Sequence, residues 1–348
     1  MNFEINYGGP DYDKINLAGN IEETEIFADD VLSISLKQGG NELLNELYTP
    51  NAAGLVYFRF NQTVLSELRF VMPNSDLQIQ SYLVRDFVLK IANTNIPFKA
   101  IKTSIKSSSH VNSENWLKAN FLTWQPQTKE VTYYQPECLT YCSVGTATTI
   151  KVKAYFTDDS SQEKDFYTLA ANQAYTFNVS YDYVRAQFTK NIEYYDVYAV
   201  SGSTRLSYVQ RYALKPDSKH AEIFEFENGL GGLDTVYCDG ETRNKPEYEI
   251  RTAVMSNKEV DYRTKKTDVV TQSTGYISRE AAQWLQDFFV STARYVRING
   301  NRVPIVLTDV SGETNSGDDM IAFSFDYKLA ETSDYLNLTR DTGMPPKW

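Results

Sequence analysis

The dipeptide Asn299-Gly300 stands between Tyr295-Val-Arg-Ile298 and Arg302-Val-Pro-Ile-Val-Leu307. Asn-Gly flanked by β-branched runs is the strongest short hairpin signal, because a two-residue loop of this kind needs positive φ at both central positions. A two-residue loop also fixes register: residues whose numbers sum to 599 face each other. Val296 then opposes Val303, a sound apolar pair. Arg297 opposes Arg302, and like charges directly across a ladder are destabilising. The arginines therefore call for an acidic cover, from a neighbouring region of the chain or from another copy. Pro304 has no N–H to give to a ladder and predicts an edge position.

Period-two patterning recurs through the chain. Leu32, Ile34 and Leu36 alternate with Ser33 and Ser35, and Phe87, Leu89 and Ile91 form a second such run. Ile150, Val152, Ala154 and Phe156 alternate with Lys151, Lys153 and Tyr155. Tyr175, Phe177, Val179, Tyr181 and Tyr183 extend the pattern over one continuous stretch that predicts a strand. Ser201-Gly202-Ser203 signals a hairpin between Tyr194–Val200 and Arg205–Tyr212. One helix is expected behind Ser278, a good N-cap with Glu280 in the first turn. Ala281, Trp284, Leu285, Phe288 and Phe289 share its apolar face.

These elements predict a mainly β fold of β-sandwich domains, with one packed helix in the C-terminal domain. The expected division is an N-terminal β-rich domain over 1–105 and a β-sandwich over 116–215. A C-terminal β-rich docking domain over 216–332 follows, then an extended arm over 333–348. The serine-rich stretch from Lys106 to Glu114 reads as a linker or long loop. The polar stretch 241–273 is longer than a simple hairpin needs and reads as a protruding loop.

Composition limits the function. The chain has 348 residues and a net charge of −11, which argues against nucleic acid, since phosphate contact needs a basic face. No apolar run is long enough to predict a transmembrane helix. The start lacks the basic and apolar regions of a secretory signal, so folding in a reducing cytoplasm is expected. Tyr occurs 25 times, a residue suited to half-buried pleated surfaces and interfaces.

A search for chemistry returns no catalytic residue, no cofactor site and no metal site. His110 and His220 have no motif around them. Cys138, Cys142 and Cys238 fit no zinc spacing and read as buried thiols. The segment from Asp309 to Asp319 is rich in oxygen ligands but lacks the central glycine and final glutamate of a calcium loop. Asp158/Asp159 and Asp318/Asp319 are carboxylate pairs of the kind glycoside hydrolysis needs, but they lie in turns. Asn228-Gly-Leu-Gly-Gly232 lacks the Gly-Lys-Ser ending of a phosphate loop, and its glycines read as a tight bend. Tyr133-Tyr134 and Tyr194-Tyr195 are adjacent aromatic pairs, each expected to place one ring in the core and the other at a surface. Candidate interface residues are therefore Arg297, Arg302, Tyr133, Tyr194 and, on the terminal arm, Trp348.

Phe226-Glu-Asn-Gly-Leu-Gly-Gly-Leu-Asp-Thr-Val-Tyr-Cys-Asp-Gly240, Thr274-Gly-Tyr-Ile-Ser278 and Phe323-Ser-Phe-Asp-Tyr-Lys-Leu-Ala330 go together with the 295–307 hairpin. With Glu46-Leu-Tyr-Thr-Pro-Asn-Ala-Ala-Gly54, this combination resembles tail-associated structural proteins of phages and prophages of Bacteroides-type bacteria. The resemblance implies a distal-tail or baseplate part, β-rich and arranged in rings. Its partners would be other copies of itself and other tail proteins, and its place the virion tail, assembled in the host cytoplasm. No catalytic residue is carried over. Two other classes stand beside it: a carbohydrate- or receptor-binding adhesin that takes a surface glycan, and a glycan-degrading enzyme.

Overall fold

The computed structural model describes residues 3–109, 111–312, 317 and 319–331. Strands take 54% of the described residues and helices 11%, so the fold is mainly β, as the alternation predicts. The chain divides into two compact units. The first is Met1–Pro216 together with Glu227–Thr235, and the second is Asp217–Phe226 together with the described residues from Val236 on.

The first unit begins with β1 (Phe3–Gly9), β2 (Ile15–Leu17), β3 (Glu22–Ala28), β4 (Leu32–Gln38), β5 (Asn41–Tyr48) and β6 (Leu55–Phe58). Helix α1 (Asn61–Ser66) and strands β7 (Leu77–Ile79), β8 (Val84–Ile91) and β9 (Thr94–Ile101) follow. A three-stranded sheet, β1-β3-β6, faces a five-stranded sheet, β2-β9-β8-β4-β5. Ile26, Val56 and Phe58 from the first meet Ile34, Leu36, Phe87, Leu89 and Ile91 from the second in one apolar core. Each such side chain removed from water contributes about 1.5–3 kcal/mol.

The serine-rich stretch is a 3-10 turn, Ser107–Ser109, leading to helix α2 (Ser113–Ala119). The Asn112 side chain caps α2 by accepting from Asn115 N at 3.0 Å. His110 lies outside the described residues. Next come β10 (Thr128–Val131), β11 (Cys138–Ser143), β12 (Thr148–Phe156), β13 (Ser161–Leu169) and β14 (Gln173–Asn178). Helix α3 (Tyr181–Ala186), β15 (Ile192–Ser201), β16 (Thr204–Arg205) and β17 (Gln210–Leu214) complete this part. The sheet β10-β17-β15-β12-β13 packs on β11-β14-β7. Ile150, Val152, Ala154 and Phe156 are buried and the intervening residues half-buried, as their spacing requires.

The long alternation from Tyr175 to Tyr183 is not one strand. It is β14 followed by α3. Asn178 Oδ1 accepts from Ser180 N at 2.9 Å, a local bond that turns the chain out of the ladder. Tyr181, Val184 and Phe188 are buried at helical spacing, a period that the preceding alternation masks.

The division runs through the end of β18 (Glu222–Glu227) and the middle of β19 (Leu233–Cys238), and the second unit goes on with β20 (Thr242–Met255), β21 (Lys258–Ser273) and β22 (Ile277–Ser278). Then come α4 (Arg279–Val290), β23 (Arg294–Ile298), β24 (Asn301–Ser311), β25 (Met320–Ile321) and β26 (Ser324–Leu329). Its main sheet runs β19-β18-β23-β24-β26-β21-β20. Ser278 Oγ accepts from Ala281 N at 3.2 Å, the expected cap of α4. Trp284, Leu285 and Phe288 are buried with Phe224, Phe226, Val296 and Phe325. The alanine most buried in α4 is Ala282, not the expected Ala281.

The register around Asn299-Gly300 is the expected one, with Val296 facing Val303 and Arg297 facing Arg302. Both loop residues have positive φ, 51° and 80°. Pro304 is not on an edge strand, because β24 lies between β23 and β26. Its carbonyl accepts from Ala330 N, beyond the last ladder pair, Ile305–Leu329. The missing N–H thus falls at the end of the β24–β26 ladder, where it interrupts nothing.

Candidate functional site

Arg297 and Arg302 converge on one carboxylate. Glu225 Oε2 accepts from Arg297 Nε at 2.5 Å and from Arg302 Nε at 2.8 Å. Its Oε1 accepts from Nη2 of each, at 3.1 and 3.0 Å. The acidic cover that the sequence calls for is therefore present on the neighbouring strand β18, and Glu225 is 1% exposed. Two bidentate, charge-assisted contacts to one buried carboxylate make a rigid clamp.

Tyr133 and Tyr134 lie in a turn after β10, so the strand alternation expected of them does not apply. Both rings are exposed, and they meet edge to face at 4.8 Å. Tyr194 and Tyr195 do alternate on β15, with Tyr195 fully buried. The Tyr194 ring stacks on Tyr155 at 4.4 Å, and the Arg211 guanidinium lies 4.5 Å from its centroid. Trp348 lies outside the described residues, as do five of the eleven residues of Asp309–Asp319 and the terminal arm.

The Asn228-Gly-Leu-Gly-Gly232 turn belongs to the first unit. Asn228 Oδ1 accepts from Leu230 N and Gly232 N, and Nδ2 donates to Leu122 O at 2.8 Å. Those amides are used internally, so they are not offered to a phosphate. A Cβ on Gly232 would stand 2.3 Å from Leu122 O, and Gly231 has φ +80°.

One buried cluster has the look of chemistry. Lys129 Nζ lies 2.7 Å from Glu137 Oε1 and donates to Thr235 O at 2.7 Å and Gln125 Oε1 at 3.2 Å. Gln135 Nε2 donates to Glu137 Oε1 at 2.6 Å. Burial pushes the Glu137 carboxyl up to about 7, with Lys129 pulling the other way. Such a shift often marks an acid or base. Here the Glu137 side chain is fully enclosed, and the bonds it and Lys129 make tie β10, the entry to β11 and Thr235 together, so the work of the pair is structural. Among the described residues no group of His, Cys, Asp and Glu gathers as a metal site. No described helix is long and apolar enough to cross a membrane.

The feature that packing does not explain is the stretch read above as a loop. It is a two-stranded ribbon, β20 and β21, in register from Thr242–Gln272 to Met255–Lys258. At its tip Ser256 and Asn257 both have positive φ, 50° and 62°. This is the backbone that fits the twist of a tight hairpin, reached without the Asn-Gly signal. Among the described residues only Val270–Ser273 of β21 pair with a further strand, β26. The uncovered part runs roughly 35 Å at ~3.4 Å per residue.

On one face of the ribbon Tyr248 opposes Lys266, Ile250 opposes Thr264 and Val254 opposes Glu259. On the other, Glu249 opposes Lys265 and Arg251 opposes Arg263. Tyr248, Ile250 and Val254 are 59%, 57% and 75% exposed. The ion pair Arg251–Glu249, at 2.7 Å, is exposed and adds little stability. An isolated two-stranded hairpin is at best marginal in water. Its charge also differs from the rest of the chain. Residues 242–273 carry seven Lys and Arg against five Asp and Glu, in a protein of net charge −11.

No family model matches the sequence, and no curated protein matches it. Among solved structures the chain is similar to one described as the tail of an empty GTA particle with C6 symmetry. The identity is 13%, over 35% of this chain and 100% of that one, with a TM-score of 0.24. It is also similar to a chain from the virion of a native gene transfer agent particle. There the identity is 12%, over 34% of this chain and 96% of that one, with a TM-score of 0.23.

Proposed function

We propose that the protein is a structural part of a phage-type tail, placed at the tail tip or baseplate, that assembles by contacts with its own copies and with other tail proteins. The observation that supports this most is the ribbon β20–β21. It exposes both faces and most of both edges, carries an apolar row that a free protein leaves in water, and is basic on an acidic chain. Strand edges and exposed apolar rows of this length are the usual material of association. The sequence resemblance to tail-associated proteins supports the same reading.

Electron microscopy of the purified protein, and of particles whose genome encodes it, tests the proposal. Rings or stacked assemblies and a position at one end of a tail are expected. A strict monomer that is absent from every particle sinks it. The exposed pair Tyr133 and Tyr134 favours one second reading, a glycan-binding module. Glycan-array binding that is lost in Tyr133→Ala with Tyr134→Ala would establish it.

A further inference from the structure

The first fifty residues carry ten Asp and Glu against two Lys and Arg. That is the opposite bias to the ribbon. Four of the ten, Glu4, Glu22, Glu23 and Glu25, lie on the sheet β1-β3-β6. Glu22, Glu23 and Glu25 line a groove of about 630 Å³ with Tyr7, Tyr57 and Arg59. Arg59 pairs with Glu23 at 3.0 Å. Glu25 accepts from the neutral Asn6 side chain at 3.3 Å. Beside the groove, β1 ends its sheet, and among the described residues its outer edge pairs with no strand. Glu4 to Gly8 of β1 are exposed or partly exposed. Other edges are better balanced. On β13 Glu163 and Asp165 share Lys151, and on β5 Glu42 pairs with Lys37.

We infer that the ribbon of one copy docks on the N-terminal sheet of a second copy, with the free edge of β20 along β1 and the ribbon face that bears Lys258, Arg263 and Lys265 turned to the side of Glu22, Glu23 and Glu25. This rests on the self-association proposed above and names its two surfaces. An added strand gives affinity through main-chain bonds, while side chains fix the partner. Complementary charge supplies the choice of edge. Because the two surfaces differ, the contact is head-to-tail and propagates from copy to copy.

The test is a charge swap on the full chain, read by sedimentation velocity in low salt with circular dichroism as the folding control. One variant carries Glu22→Lys, Glu23→Lys and Glu25→Lys. The other carries Lys258→Glu, Arg263→Glu and Lys265→Glu. Each alone is expected to weaken assembly by at least roughly tenfold. A 1:1 mixture, and a chain with all six changes, are expected to assemble again. Either single variant assembling like the wild type overturns this contact while leaving self-association in place. Rescue in the six-change chain but not in the mixture means that the ribbon docks on its own chain, which also overturns it. A wild type that stays monomeric overturns the assembly reading itself.

Discussion

Arg302 and Glu225 are 77 positions apart in sequence and 2.8 Å apart between Nε and Oε2. The same carboxylate holds Arg297, which faces Arg302 across the ladder. Glu225→Ala would leave two guanidinium groups side by side with no anion between them. The arginines are about a fifth exposed, so water offsets part of the loss. A destabilisation of about 2–3 kcal/mol is expected, below the roughly 3–5 of a fully buried pair. Thermal melts of E225A and of E225A with Arg302→Thr measure it, and the second change should recover part of the loss.

The Lys129–Glu137 pair predicts a pH dependence. Burial raises the folded-state carboxyl to about 7 from its ordinary 4.5. A raised acid binds more protons folded than unfolded, so its contribution is full below about pH 4.5 and falls as pH rises towards 7. Urea midpoints between pH 5 and 7.5 should decline more steeply in the wild type than in Lys129→Met with Glu137→Leu. Glu137→Leu alone strands the lysine and should cost about 3–5 kcal/mol.

Gly232→Ala tests the tight turn. The added carbon meets a backbone oxygen, which cannot swing aside as a flexible side chain would. A loss of about 1–3 kcal/mol is expected from overpacking, seen as a lower denaturation midpoint at unchanged slope.

Amide exchange tests the ribbon. In the unassembled protein, amides of 246–266 should exchange far faster than those of β12 and β15, which lie inside a sheet over a packed core. Assembly should slow exchange along β20 in particular. Equal protection in both states would remove the ribbon from the interface.

Much of the fold was legible because side-chain period reports burial. Ile150 to Phe156 alternate cleanly since only one face of β12 meets the core. Asn299-Gly300 set a register that the structure reproduces pair by pair. Where the signal failed, burial did not follow one face. Ala174 to Phe177 are buried on both sides, so their alternation gave no warning of the helix that follows. Glu225 could not be matched to the arginines from sequence, since strand order, not spacing, puts β18 beside β23. The ribbon was hidden for a related reason. Its apolar row Tyr248, Ile250 and Val254 is interrupted at Thr252 and faces Lys266, Thr264 and Glu259, so the alternation is faint, and Ser256-Asn257 is a weak turn signal beside Asn-Gly.

The placement of Glu227–Thr235 with the first unit has a practical consequence. The chain passes between the units at 216/217, 226/227 and 235/236, so no single cut separates them. A fragment ending at Pro216 would lack Leu230, whose side chain is fully buried with Leu83, Leu117 and Leu122. It would also lose the Thr235 carbonyl that receives Lys129. Gene fragments designed from sequence order alone would therefore yield an unfinished core, and a permuted or co-expressed design that restores 227–235 is the route to an independent first unit.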